Sequence, residues 1–345
     1  TANMSRASVF RGIKRLEKLN KSIQHNDAAI RMNNNHAKED RARKGELDKL
    51  TKEYIHRNFR YRVKEFQTED GIQIVRKLEK KILSKKLEYK KINNLFIREL
   101  WLDSKEFQPP GGENVKIELR NGENFKGINL SYFNKWVKQF FWVQNGKRYN
   151  VKSRTGDLPA MSTSIEGEGL VSVVYESMPD SLTYNEWEKF TNFIKHKDFP
   201  DAEKSHMARK LAKTGFKEIY HRYSKALIGL GHSKGRDGNF GLETEFVAQT
   251  NPYVDSANSD FKAQLLYQQL PRKNAQVEVF ERDPEGLVRI FMLRTNEDGR
   301  VSVPIKPGFD YLLDAVVLRE VTPDTKDGAV WESLWAALTF SVPSR

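Results

Sequence analysis

Cysteine is absent from all 345 residues of the sequence. This absence excludes disulfide bonds, thiolate zinc sites, iron–sulfur clusters and cysteine nucleophiles. Long apolar runs are absent too, because nothing approaches the ~18 consecutive apolar residues of a membrane-spanning helix. No apolar stretch of about 7–15 residues follows the early lysines and arginines, so no secretory signal is visible. We therefore expect a chain with no transmembrane segment of its own.

Catalytic motifs are also missing. No serine lies in a Gly-x-Ser-x-Gly elbow, and no pair of carboxylates has a spacing that singles it out for acid–base catalysis. The glycine-rich stretch 229–241 (GLGHSKGRDGNFG) has Lys234 where a dinucleotide-binding motif needs glycine, and it also lacks the spacing of a phosphate-binding loop. We predict that the protein is not an enzyme and that this stretch is a flexible linker.

Excess charge is confined to one region. Residues 1–95 contain 25 lysines and arginines against 12 aspartates and glutamates, whereas the remaining residues contain 34 of each sign. The whole net charge of +13 therefore belongs to the first quarter of the chain, which indicates two physical units with different partners. Val9, Ile13 and Leu16 repeat there at helical spacing, so residues 1–94 are predicted to be a basic helical segment.

This basic segment could bind nucleic acid, because clustered lysines and arginines neutralise phosphates in a salt-dependent way. An anionic lipid surface and an ordinary solvated helical hairpin are the competing interpretations. The residues expected to contact phosphates are Arg11, Lys14, Arg15, Arg41, Arg43, Lys44, Arg57 and Arg60.

The pattern changes at about Leu95 to that of a mainly β protein. Alternating or apolar runs such as 115–119 (VKIEL) and 169–175 (GLVSVVY) predict an N-terminal β domain over 95–180. A capping box at Thr183 and Glu186 predicts a helical interlude over 181–228, followed by the linker at 229–241. Short strands separated by turns predict an immunoglobulin-like or prealbumin-like sandwich over 242–345. These strands are 242–248, 261–267, 275–281, 287–294, 300–304, 310–319 and 334–342.

Several stretches carry a family resemblance, in the same order along the chain. They include 98–102 (RELWL), 122–127 (GENFKG), 170–183 (LVSVVYESMPDSLT), 220–228 (YHRYSKALI), 271–280 (PRKNAQVEVF), 295–305 (TNEDGRVSVPI) and 331–340 (WESLWAALTF). On these motifs, residues 96–343 resemble a bacterial family of unknown-function proteins described as the periplasmic, substrate-specific component of nickel or cobalt uptake. Residues 1–94 lie outside the family pattern, and Arg98 stands where the family usually has a histidine.

The resemblance implies an extracytoplasmic β protein with a prealbumin-like C-terminal domain. It further implies nickel or cobalt as cargo, a membrane transporter subunit as partner, and capture and hand-over without catalysis. Because this chain shows no signal peptide, a cytoplasmic location stays open.

Three histidines and one glutamate are the candidate metal ligands. They are His196, His206 and His221 from the predicted interlude, and Glu99 from the first strand. No two histidines have the spacing that places both on one helical face, so a solvated or hydrogen-bonded histidine is the alternative at each position. Trp101, Trp331 and Glu332 are candidates for a ligand or partner surface, with core packing as the alternative for Trp331.

Overall fold

The computed structural model of the chain describes residues 99–110, 113–255, 260–322 and 328–344. All of them lie in the second of the two units into which the chain divides, Leu95–Arg345. The helical segment predicted over 1–94, and the basic residues expected to bind phosphates, lie outside the described residues. No helix of the described part is both long enough and apolar enough to cross a membrane.

Strands dominate the described residues, so the prediction of a mainly β fold is confirmed. The strands are β1 Glu99–Asp103, β2 Asn114–Glu123, β3 Lys126–Leu130, β4 Val137–Gln144, β5 Lys147–Asn150, β6 Met161–Ser164, β7 Gly169–Ser177, β8 Asp180–Tyr184, β9 Phe216–Leu230, β10 Thr244–Ala248, β11 Phe261–Tyr267, β12 Leu270–Pro271, β13 Gln276–Arg282, β14 Val288–Arg294, β15 Arg300–Val303, β16 Asp310–Glu320 and β17 Ala329–Ser341. The helices in the described part of the chain are α1 Trp187–His196 and α2 Ala202–Ala208, with one 3-10 turn at Asn134–Trp136.

The described strands form three sheets. The largest has nine strands in the order β14-β13-β16-β17-β9-β7-β4-β5, with β8 also paired to β9. One four-stranded sheet contains β1, β2, β3 and β6, and the other contains β10, β11, β12 and β15. All pairings in the nine-stranded sheet are antiparallel except that of β17 with β9, which is parallel.

The two small sheets cover opposite faces of the large one. The hydroxyl of Ser224 in β9 donates to the carbonyl of Leu100 in β1 at 2.7 Å. The next residue, Lys225, donates through Nζ to the carbonyl of Phe246 in β10 at 2.9 Å. Because successive residues of a strand point to opposite faces, β1 and β10 must lie on opposite sides of β9. The result is a layered β-sandwich with its core between the sheets.

The helical interlude predicted over 181–228 contains the helices α1 and α2 but is wrong in its last part. Residues 216–228, the last part of the segment predicted to be helical, belong to the long strand β9, which ends at Leu230 in the predicted linker. Residues 222–230 of this strand are all buried, on both faces of the sheet, so the alternation that marks a half-exposed strand is missing. Thr183 pairs with Lys217 in the β8–β9 ladder, so the predicted capping box is not formed. Helix α1 begins only after Glu186.

The predicted division into two β domains also differs from the structure. The nine-stranded sheet takes β4, β5 and β7 from the predicted N-terminal domain and β13, β14, β16 and β17 from the predicted sandwich. Strand β9 joins them, because it pairs with β7 on one side and with β17 on the other. Residues 229–241 therefore do not separate two β domains in the described structure.

Candidate metal centre

Three carboxylates from three strands meet on one face of the large sheet. Glu278 in β13 is directly opposite Asp314 in β16, so both side chains point to the same face. Glu99 comes from β1, which crosses that face. One carboxylate oxygen from each of the three residues lies within 4.8 Å of the other two. All three residues are buried, with relative exposures of 6% for Glu99 and 2% for both Glu278 and Asp314.

The ammonium of Lys197 lies at the centre of this carboxylate cluster. Its Nζ donates to Asp314 Oδ2 at 2.8 Å, to Glu99 Oε1 at 3.4 Å and to Glu278 Oε2. The same Nζ is 4.9 Å from the centroid of the Trp335 ring. Lys197 immediately follows α1, whose residues Phe190, Phe193 and Ile194 are buried in the core that includes Trp335. Packing of α1 thus positions the lysine.

His196 connects the cluster to solvent. Its Nε2 is 2.6 Å from Glu278 Oε1, while its side chain is 56% exposed. The hydrogen bond to Glu278 raises the pKa of His196 above its usual value, although partial burial opposes the shift. An imidazole at the surface therefore touches the same carboxylate that Lys197 contacts from inside.

Two opposing effects set the pKa values of the carboxylates: burial raises them, and nearby positive charges lower them. Burial raises the pKa of Glu99 to about 7, even though Lys197 acts to lower it. Burial likewise raises the pKa of Asp314. For Glu278 burial is outweighed by the contacts with His196 and Lys197, which hold its pKa below its usual value. Burial opposes the charge of Lys197, but Asp314, Glu99 and Glu278 together raise its pKa. The neighbouring carboxylates thus favour the charged form of Lys197, and burial brings the pKa of Glu99 close to neutral pH.

A second cation borders the cluster. Arg222 of β9 is buried, and its guanidinium lies 4.2 Å from the centroid of the Trp335 ring. Asp314 and Glu99 act on its pKa, which burial lowers. The three carboxylates therefore face two cations, Lys197 and Arg222, and a third positive charge when His196 is protonated.

Two carboxylate oxygens of the cluster have no hydrogen-bond partner among the described residues. They are Glu99 Oε2 and Asp314 Oδ1, and both atoms are buried. An unsatisfied buried acceptor destabilises a fold by roughly 1–3 kcal/mol, so such atoms are uncommon unless a ligand or ion uses them. Three carboxylates with one imidazole form an oxygen-rich donor set that suits a divalent cation. The residues present therefore fit a metal ion, provided that it displaces the ammonium of Lys197.

The other two candidate histidines lie elsewhere. His206 of α2 accepts a hydrogen bond at Nδ1 from Trp331 Nε1 at 3.0 Å, and its Nε2 is 3.1 Å from the Ala212 carbonyl. Both ring nitrogens are engaged, and burial lowers its pKa, so this imidazole offers no lone pair to a metal. His221 contacts Glu332 Oε1 at 2.8 Å. Its side chain lies on the opposite face of β9 from that of Arg222, because successive residues of a strand alternate between the faces.

The tryptophans proposed as a partner surface are core residues. Trp101 is 0% exposed and Trp331 is 3% exposed. Trp101 packs on Phe280, Leu312 and Ala337, and Trp331 belongs to the core under the helices. Neither ring can form a surface, since each fills the space between the large sheet and a covering layer. Glu332 is half-buried and is held by Arg319 as well as by His221.

Sequence reasoning proposed Glu99 and His196, beside His206 and His221, but missed Lys197, Glu278 and Asp314. Glu278 lies between Val277 and Val279, and Asp314 lies in a similarly apolar strand. An acidic residue within an apolar strand is a usable signal when both faces of the sheet are covered, because either face is then buried. The pairing of these two strands is not visible in the sequence.

Comparisons with known proteins identify the family. The model of DUF4198, a domain of unknown function, matches residues 98–319. The chain belongs to this family. All the carboxylates of the cluster and Lys197 fall within the matched range. A comparison with curated proteins finds no match.

Among solved structures, the chain is similar to one described as the crystal structure of a tetra-tandem repeat in the extending region of a large adhesion protein. The two are 13% identical, and the match covers 70% of this chain and 49% of that one, with a TM-score of 0.20. The chain therefore spans about half the length of that structure, and at this TM-score the likeness carries no argument about fold.

Proposed function

We propose that this DUF4198 protein is a non-catalytic binding protein that captures a divalent transition-metal cation and hands it to a partner. Glu99, Glu278 and Asp314 would hold the cation. The observation that carries the proposal is the pair of unpartnered buried oxygens, Glu99 Oε2 and Asp314 Oδ1, within this tight group. Two unused acceptors in a buried anionic cluster are what a cation site needs before its ligand arrives.

Lys197 would serve as the cation of the empty site. Three buried carboxylates repel one another, and an internal ammonium neutralises part of that charge. Lysine carries its charge on a flexible four-carbon stem, so it can leave the cluster without any movement of the strands. Exchange of Lys197 for a metal ion would make capture reversible, because the ammonium can return when the metal departs.

Nickel or cobalt is the cargo that the family resemblance supports, together with an extracytoplasmic location, a membrane transporter subunit as partner and a prealbumin-like C-terminal part. Carboxylates alone suit magnesium or manganese, whereas imidazole suits nickel and related metals. Selectivity for nickel or cobalt would therefore depend on His196, which already touches Glu278.

Isothermal titration of the full chain with nickel, cobalt, manganese and zinc chlorides tests the proposal. We expect binding of at least one metal above neutral pH and a loss of about tenfold or more in affinity for Glu278→Gln, which removes a ligand charge. Lys197→Met should bind about tenfold more tightly, because a competing cation is gone. Lys195→Met, at an exposed position of the same helix, is the matched control. Absence of heat with every metal, for wild type and Lys197→Met alike, would overturn the proposal.

A second candidate function concerns the basic segment. The confinement of the excess positive charge to residues 1–95 favours a nucleic-acid-associated protein in which the β-sandwich mediates protein contacts. Replacement of Arg41, Arg43 and Lys44 by glutamine in the full chain should weaken duplex DNA binding and reduce its salt dependence. Metal binding by the carboxylate cluster should be unchanged in the same variant.

A further inference from the structure

The two ends of the nine-stranded sheet are built differently. At one end, β5 has only four residues (KRYN), all of them exposed, and a very short edge strand protects a sheet edge from pairing. At the other end, β14 has seven residues (VRIFMLR) and no proline. It pairs with β13 over its full length without a bulge. Within the described residues, β14 pairs with no other strand, so one row of its backbone groups faces outward.

The unprotected edge is apolar. Leu287 is 68% exposed, Ile290 is 37% exposed and Met292 is 46% exposed. Phe291 and Leu293, which point to the other side of the strand, pack on the main core. A long, regular strand with exposed apolar side chains and free backbone groups is a template for pairing with another chain. Natural proteins rarely leave such an edge open unless something pairs with it.

The sequence of β14 is complementary to itself in the antiparallel direction. With a two-fold axis at Ile290, Leu293 of one copy lies opposite Leu287 of the other, and Met292 lies opposite Val288. Arg289 lies opposite Phe291, the type of ring that it already covers within its own chain at 5.3 Å. In this register no two like charges lie directly opposite each other.

The charges at the strand ends agree with this register. Arg294 ends the strand, and its side chain is 47% exposed even though it contacts Asp198. The turn before β14 carries Asp283 and Glu285. Antiparallel pairing brings Arg294 of each copy beside Gly286 of the other, next to Glu285. The basic end of each strand therefore lies beside the acidic turn of the other copy, at both ends of the strand pair.

We infer that β14 pairs with β14 of a second copy of this chain and forms a two-fold dimer with one continuous sheet. Such an interface is closed, because the two-fold axis pairs the same edge strand of both copies with each other. The inference does not rest on metal binding. It places the interface beside the carboxylate cluster, since Glu278 is the β13 residue opposite Met292.

Sedimentation equilibrium of the full chain, from low to high micromolar concentration, tests the inference. We expect twice the monomer mass of 40.1 kDa. Ile290→Lys should weaken the dimer about a hundredfold or more, because it places two ammonium groups against each other at the axis. Leu158→Lys changes another exposed leucine, 57% exposed and away from β14, and should leave the mass unchanged.

Mixing two variants tests the register itself. Ile290→Lys and Ile290→Glu should each be monomeric alone and should form a heterodimer when combined, because the opposite charges then meet across the axis. Circular dichroism of each variant checks that it is folded. A wild-type monomer at every concentration would overturn the inference, as would a dimer that Ile290→Lys leaves intact or a larger, open-ended assembly. Binding of a different protein at β14 of a monomeric wild type would overturn it too.

Discussion

Two buried lysines, Lys197 and Lys225, are each surrounded by carboxylates, on opposite faces of the same sheet. Lys225 Nζ contacts Asp237 at 3.0 Å and Glu245 at 2.7 Å. It also donates to the carbonyls of Gly238 and Phe246, at 3.0 Å and 2.9 Å. All four carboxylate oxygens of this site have partners, which include the side chain of Ser172 and the backbone amides of Phe240, Leu242 and Ala248.

The comparison separates a structural cluster from a candidate functional one. The Lys225 cluster is satisfied, and it fastens the non-regular residues before β10 to β9, which explains why 229–241 is not a free linker. The Lys197 cluster leaves Glu99 Oε2 and Asp314 Oδ1 without partners and reaches solvent through His196. A satisfied buried network stabilises one structure, whereas unsatisfied acceptors beside an exposed imidazole leave room for a ligand.

Removal of Lys225 should produce the largest effect. Lys225→Met leaves two buried carboxylates without their cation, which should lower the free energy of unfolding by about 3–5 kcal/mol. Urea unfolding followed by circular dichroism measures the change. Lys273→Met, at an exposed lysine paired with exposed Glu297, is the control and should stay within about 0.5 kcal/mol of wild type. A similarly small change for Lys225→Met would contradict a structural role.

Removal of Lys197 should be less harmful. Glu99 can take up a proton near neutral pH, so the cluster can adjust its charge, and we expect Lys197→Met to lower the free energy of unfolding by about 2–3 kcal/mol. Added nickel or cobalt should raise the melting temperature of Lys197→Met more than that of Lys225→Met, because the carboxylate cluster of Lys225→Met still contains the competing ammonium of Lys197. Equal responses of the two variants to metal would remove the distinction between the clusters.

The pH dependence of stability should identify Glu99. Its pKa is raised from 4.5 to about 7 in the folded state by burial, so folding favours the protonated form. The contribution of Glu99 to stability is therefore greatest below the unfolded pKa and is lost as pH rises from about 4.5 to about 7. Glu99→Gln has no ionisable group at this position. Its free energy of unfolding, measured by urea unfolding, should therefore fall by about 1–2 kcal/mol less than that of wild type across this pH interval. Glu218, whose pKa is also raised to about 7 by burial, should still contribute its own part of the pH-dependent fall in stability in this variant.

His196→Gln should have the smallest effect on stability. Its ring is largely exposed, so we expect a change within about 0.5 kcal/mol in urea unfolding. Nickel affinity should nevertheless fall, whereas manganese affinity should change little, because only nickel benefits from the imidazole. Parallel loss for both metals would indicate that His196 acts through the position of Glu278 instead.

Much of the strand content follows from local pattern. The strands predicted over 261–267 and 287–294 appear as β11 and β14 within one residue, because apolar residues and turn signals bound them clearly. Strand β9 did not follow, because Lys225, Ala226 and Leu227 have good helix propensity and both faces of the strand are covered. The segment forms a strand because its neighbours β7 and β17 pair with it.

The sequence alone determined that the chain is mainly β after about residue 95, that the excess charge lies before it, and that Glu99 and His196 merit attention as ligands. These conclusions depend on local composition and periodicity. Only the tertiary structure brought Glu99, Lys197, Glu278 and Asp314 together, because strand order, and not sequence spacing, decides which side chains share a face. The same order exposed β14 and buried β9, since a strand has a free edge only where the sheet ends.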